Sequence, residues 1–188
     1  MERRITRKDL WDAAGKAGLV LGLVSTAYLL LTQLPANAGH TGFLFTVLNL
    51  LLWAAKLVGC ILLMKLFMTR FAGAHPEADN RDTFRFGMVT AFLSALIFAA
   101  FDLAYVTLIA PDTFSQAIET ASEAYGSYMT SESLEALENI NFGSVSFFIN
   151  LIYCFIYGTV LSAILSRNIP SKNPFAGTSS QDNTPEQQ

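Results

Sequence analysis

Residue types that a bilayer disfavours stand inside the apolar runs of this chain: the carboxylate of Asp102, the ammonium of Lys56, and the amides of Asn49 and Asn150. An ionisable group at the centre of a spanning helix costs about 2.5–3.5 kcal/mol on insertion scales, so each one calls for a partner or a task. Helical spacing assigns the partners. Asp102 continues the small-residue row Ala91, Ala95, Ala99 and therefore points into a bundle. Asn49 and Lys56, seven residues apart, share one face of the second run. Asn150 opens a stripe that continues through Cys154, Gly158 and Ser162. Counted from the ends of the runs nearest residues 111–142, Asp102 lies eight residues in, or ~12 Å at 1.5 Å per residue. Asn49 and Asn150 fall at similar depth with Tyr28 nearby, and Lys56 sits one to two turns deeper, within reach if its side chain extends outward.

Lys56 is thus the expected partner of Asp102, and two readings of the cluster Asp102, Lys56, Asn49, Asn150 and Tyr28 stand side by side. One is a polar pocket that takes a small polar or anionic group, as a small transporter or lipid-binding protein would need. The other is a structural ion pair with interhelical amide bonds, each contributing about 0.6–2 kcal/mol.

Other chemistry has little support. No Ser/His/Asp arrangement, Gly-rich phosphate loop or paired carboxylates occur within the runs, so no catalytic residue is assigned and no enzyme is expected. His40 and His75 lack ligand-spaced partners, and Cys60 and Cys154 read as small packing residues, so neither metal nor cofactor is expected. Glu119, Glu123, Glu132, Glu135 and Glu138 lack calcium-loop spacing and read as a solvated acidic face. The basic start, with Arg3, Arg4, Arg7, Lys8 and Lys16, fits attraction to anionic lipid rather than to nucleic acid.

The elements that carry these residues follow from composition. Of 188 residues, 52% are hydrophobic and 14% charged, with 15 Phe. Unpaired backbone groups cost several kcal/mol in hydrocarbon, so long apolar runs without period-two alternation must be helices. The expected fold class is all-α, a polytopic membrane protein with four spans at about 17–34, 43–68, 86–110 and 143–165. A basic N-terminus (1–16) precedes the membrane domain (17–167), and a Pro, Ser, Asn and Gln tail (168–188) reads as disordered. The first run also resembles a secretory signal with Ala36-Asn37-Ala38 as cleavage site. Its length and its four-residue repeat Ala14, Gly18, Gly22, Thr26 favour a retained, packed span. Gly18, Gly22, Ala95, Ala99 and Gly158 are the expected helix-packing positions.

Orientation follows from the cations. The N-terminus, the loop between spans two and three and the tail hold every loop Lys and Arg, whereas 35–42 and 111–142 hold none. Both termini are therefore expected on the cytoplasmic side of the membrane. The outward segment 111–142 carries six acids. Thr113 to Gln116 forms a capping box after Pro111, and Phe114, Ile118, Tyr125 and Tyr128 recur at helical spacing. An amphipathic helical hairpin results, with an apolar face for the bundle mouth, the interface or a docking partner.

Three short stretches carry a family resemblance: Ala14-Gly-Lys-Ala-Gly18, Asp82-Thr-Phe-Arg-Phe-Gly87 and Ile109-Ala-Pro-Asp-Thr-Phe114. On these, about residues 8–167 resemble a family of integral membrane proteins of Bacteroidota, domain of unknown function 4199. The resemblance implies four spans with a helical insertion before the last. It implies no activity and transfers no catalytic residue. It also implies a partner in envelope assembly, a membrane glycosyltransferase encoded nearby. The first functional expectation is accordingly a non-enzymatic inner-membrane subunit or scaffold, accessory to envelope glycan or lipid assembly or acting as a homo-oligomer. The alternative is the transporter or lipid binder built on Asp102 and Lys56.

Overall fold

The computed structural model describes residues 6–37, 43–111, 120 and 141–169. Four long helices account for nearly all of them: α1 (Arg7–Asn37), α2 (Phe43–Ala74), α3 (Asn80–Ala104) and α4 (Phe142–Asn168). Each contains a stretch long and apolar enough to cross a membrane, and no strand occurs among the described residues. The expected hairpin, with Phe114, Ile118, Tyr125 and Tyr128, and the tail beyond residue 169 lie outside the described residues.

The helices overrun the apolar stretches read from sequence, and local capping explains where they stop. α1 starts at Arg7 because Thr6 accepts the backbone N–H of Asp9 at 3.3 Å and its hydroxyl donates to the Asp9 carboxylate. The polar loop expected before span three shrinks to residues 75–79, placing Arg70 on α2 and Arg81, Asp82 and Arg85 on α3. Asp79 makes this turn tight by accepting the N–H of Asp82 at 2.7 Å as the N-cap of α3. At its far end α3 widens into one π-helical turn, Tyr105–Ile109, closed by Ala110 N–H donating to Tyr105 O at 3.0 Å. Pro111 then bars continuation, since it lacks an N–H and pushes its predecessor out of helical geometry. α4 is capped by Asn141, whose side chain accepts from Ser144 N–H at 3.2 Å.

Within the bundle α3 is the central helix, packed most extensively on α4 and α1, while α2 leans chiefly on α1. Close approach at α3 rests on small residues. A methyl at Gly18 would stand 2.8 Å from Leu93 Cβ, one at Gly22 2.9 Å from Ile97, and one at Gly158 2.5 Å from Ala91 Cβ. Ala95 and Ala99 are buried on α3. Without a water-driven force between helices in lipid, this intimate backbone contact is what holds them together.

The tightly filled core gathers at one end of the bundle, where α1 and α3 start and α2 and α4 finish. Ala14, Ala17, Met64, Met68, Phe71, Phe86, Leu165 and Ile169 belong to it. Phe71 stacks on Phe86 with ring centroids 4.3 Å apart. Burial falls away unevenly: 39% of the apolar window of α1 is buried, against 6% for α2.

Candidate functional site

Above the core, α2 stands off the other helices and leaves a cleft of about 180 Å³. Every helix contributes to its wall. Leu21 and Ser25 come from α1, Trp53, Lys56, Leu57 and Cys60 from α2, Ser94, Ala95 and Phe98 from α3, and Cys154, Tyr157 and Gly158 from α4. Among the described residues these side chains are apolar or neutral with one exception, the ammonium of Lys56. Its Nζ lies over the Tyr28 ring, 4.6 Å from the centroid, and over the Phe98 ring at 4.9 Å. Ring faces carry partial negative charge and attract a cation by about 0.5–2 kcal/mol each. Two such contacts offset much of the cost of holding an ammonium in hydrocarbon, but they supply no counter-charge.

The ion pair expected between Lys56 and Asp102 does not form. Asp102 turns instead toward α4, where its Oδ2 accepts Asn150 Nδ2 at 2.7 Å and Ser146 Oγ at 2.9 Å. Asn150 Nδ2 also reaches Ser146 Oγ at 3.3 Å, closing a three-residue polar clamp. The reason is geometric. Ser146 and Asn150 are one turn apart on the helix that packs hardest against α3, so two neutral donors meet the carboxylate there. The ammonium of Lys56, on the loosely seated helix, meets only rings. Cys154, one turn beyond Asn150 on α4, lines the cleft, so the clamp and the cleft adjoin.

The five residues predicted as one cluster therefore separate into three groups. Asp102 and Asn150 form the clamp, Lys56 and Tyr28 meet at the cleft, and Asn49 is exposed on α2, bonded to neither. Sequence reasoning missed two participants. Ser146 precedes Asn150 by four residues and extends the same stripe, so its signal was present. Phe98 precedes Asp102 by four residues, but a phenylalanine in a spanning helix carries no mark that separates a cation platform from a lipid contact.

Both cysteines are free and both line the cleft. The hydroxyl of Ser25 approaches Cys60 Sγ at 4.0 Å. Among the described residues no three His, Cys, Asp or Glu side chains gather where they would hold a metal. The arrangement is an apolar slot with a cation in its wall.

No curated protein and no solved structure matches this chain. Residues 15–167, which take in most of α1, all of α2 and α3, nearly all of α4 and the whole cleft, match the family model described as Protein of unknown function (DUF4199), and the chain belongs to that family.

Proposed function

We propose that this is a non-enzymatic membrane protein that holds a membrane-dissolved amphiphile in the cleft beside α2. The observation that carries the reading is the cleft itself, walled by four helices and bearing a lone ammonium. Its volume of about 180 Å³ exceeds that of an engineered apolar cavity of about 150 Å³ that accepts benzene. It falls short of the roughly 300–1,000 Å³ typical for drug-sized ligands. One chain or one ring fits better than a two-tailed lipid. In this reading the chain is an inner-membrane protein of the Bacteroidota envelope with both termini in the cytoplasm. The cation distribution supports that orientation, leaving the clamp in the outer half of the bilayer and Lys56 near its middle.

The test fills the cleft from either side. Cys60→Phe and Cys154→Phe place a ring where a ligand would lie, since both side chains line the cleft. Purified in mild detergent, the unmodified protein should carry a co-purifying small amphiphile detectable by native mass spectrometry, and both variants should lose it while keeping their thermal stability. Equal retention by folded variants would rule the cleft out as the binding place.

A second reading, a subunit or scaffold, is favoured by the exposure of α2, of whose apolar window only 6% is buried. A second copy or a partner, such as a membrane glycosyltransferase of envelope glycan or lipid assembly, would then cover α2, with the segment 111–142 as a further contact. Affinity purification followed by identification of bound proteins tests it. A stoichiometric partner that is lost when residues 113–140 are deleted supports the scaffold, whereas a monomer with no bound protein counts against it.

A further inference from the structure

We propose that the cleft selects a single-chain anionic amphiphile, a carboxylate or phosphate head on one apolar chain, with Lys56 as the head-group contact. This rests on the reading of the cleft as a binding place and adds the chemistry of what it takes. The argument begins with charge. Among the described residues of the cleft wall Lys56 is the one charged side chain, and the aromatic faces of Tyr28 and Phe98 hold its ammonium from two sides. The nearest acid on a spanning helix, Asp102, has its Oδ2 occupied by Ser146 and Asn150. The remaining acids among the described residues, Asp9, Asp12, Glu77, Asp79 and Asp82, lie on or near the opposite end of the bundle. No carboxylate among the described residues stands within 4.0 Å of Lys56, since the ion pairs there are His75–Glu77 and Arg85–Asp82.

A cationic ligand would be repelled by this wall. A neutral one would leave the ammonium with rings alone and gain nothing from it. An anion completes the site, because a hydrogen-bonded charge pair in a low-dielectric cleft is far stronger than the same pair in water. Position sets the ligand's direction. The ammonium meets Tyr28 and Phe98 near the upper part of the cleft, while Leu21, Met64 and Leu161 line the part that borders the packed core. A head group at Lys56 therefore directs its chain toward Leu21 and Met64. The volume admits one chain, so a fatty acid and an alkyl phosphate share the required chemistry.

Trp53 stands in the cleft wall and offers a reporter, with Trp11 the only other tryptophan. In a Trp11→Phe background reconstituted in phosphatidylcholine nanodiscs at alkaline pH, quenching of Trp53 is titrated with dibromostearate and with the matching dibrominated alcohol. The carboxylate should bind saturably and at least tenfold more tightly than the alcohol. Lys56→Gln should bring that ratio close to one while leaving the alcohol's affinity in place, and Lys56→Arg should restore most of it. Competition by dodecyl phosphate as strong as that by dodecanoate would extend the site to phosphate heads, and competition by dodecanoate alone would confine it to carboxylates; either supports the proposal. Equal binding of acid and alcohol that Cys154→Phe abolishes would overturn the charge selection and leave the cleft standing. Quenching that never saturates, or that Cys60→Phe and Cys154→Phe leave unchanged, would overturn both.

Discussion

At the end of the bundle that holds Phe71 and Phe86, side chains fill the space between all four helices; around Lys56 they leave a cleft of about 180 Å³. The two regions are built from the same helices, so the difference lies in what each helix presents there. In the packed end α2 contributes Met64, Met68 and Phe71, all buried, against Phe86 of α3. One to two turns earlier it presents Lys56, Leu57 and Cys60, opposite the small residues Ser94 and Ala95. Large against large closes the interface at one end. A charge against small residues holds it open at the other, because an ammonium is stable near rings and unstable when sealed against alanine. The packed end fixes the helices, and the open end leaves the space in which the proposed ligand would lie.

The largest effect should come from weakening the packed end. Phe86 is almost wholly buried and stacked on Phe71, so Phe86→Ala leaves a ring-sized void that neighbouring side chains cannot fill. A loss of about 3 kcal/mol is expected, the low end for such a truncation. The value is low because unfolding in detergent moves the ring between two apolar media, so the lost packing is the main cost. Unfolding in mixed micelles of increasing SDS content measures it, and a change under 1 kcal/mol would mean that the bundle is not held at this end.

Much of this contrast was legible in the residues, and the illegible part has a definite cause. Four apolar runs must be four helices in a bilayer, whatever their contacts. The rows Gly18–Gly22 and Ala91–Ala95–Ala99 announce close approach, since nothing larger fits between touching backbones. Spacing placed Asn150 at the depth of Asp102, yet the partner it assigned to the carboxylate was Lys56, and Ser146, four residues before Asn150, was the added sign that pointed to α4 instead. What the spacing could not convey is rotation and tilt. Sequence assigns Lys56 a face and a depth, but whether that face turns toward Asp102 or toward Tyr28 depends on how far α2 leans from α3. That lean is set some 20 Å away, at 1.5 Å per residue, by the bulk of Met68 and Phe71. Asn49 shows the same limit, sharing a face with Lys56 in sequence yet exposed in the fold.

Asp102 and Lys56 carry the contrast down to single side chains, and the next smaller effect separates them. Asp102→Ala removes the acceptor shared by Ser146 and Asn150. The two donors already lie 3.3 Å apart and can bond each other, which limits the damage. Polar contacts between spanning helices contribute about 0.6–2 kcal/mol each, so a loss of about 1–2 kcal/mol is expected in the same SDS titration. Asp102→Asn keeps an acceptor at the same place and should recover part of it. A full loss in Asp102→Asn would show that the negative charge itself, rather than hydrogen bonding, holds α3 to α4.

Lys56→Met should change stability least, and its sign distinguishes a rivet from a site. The substitution keeps most of the side chain's length and removes the ammonium, so two opposing contributions change together. Contacts with the faces of Tyr28 and Phe98 are weakened, at about 0.5–2 kcal/mol each. The penalty of keeping a cation in hydrocarbon, about 2.5–3.5 kcal/mol at a helix centre, is relieved. These nearly cancel, and because no ion pair among the described residues is broken the usual large cost of orphaning a buried counter-charge does not arise. Stability should rise or stay within about 1 kcal/mol of the unmodified protein, the opposite of the loss at Asp102. A drop beyond 2 kcal/mol would mean that Lys56 ties α2 to the bundle and is retained for folding. A neutral or positive change leaves binding as the reason for placing a charge where structure alone would do as well with methionine.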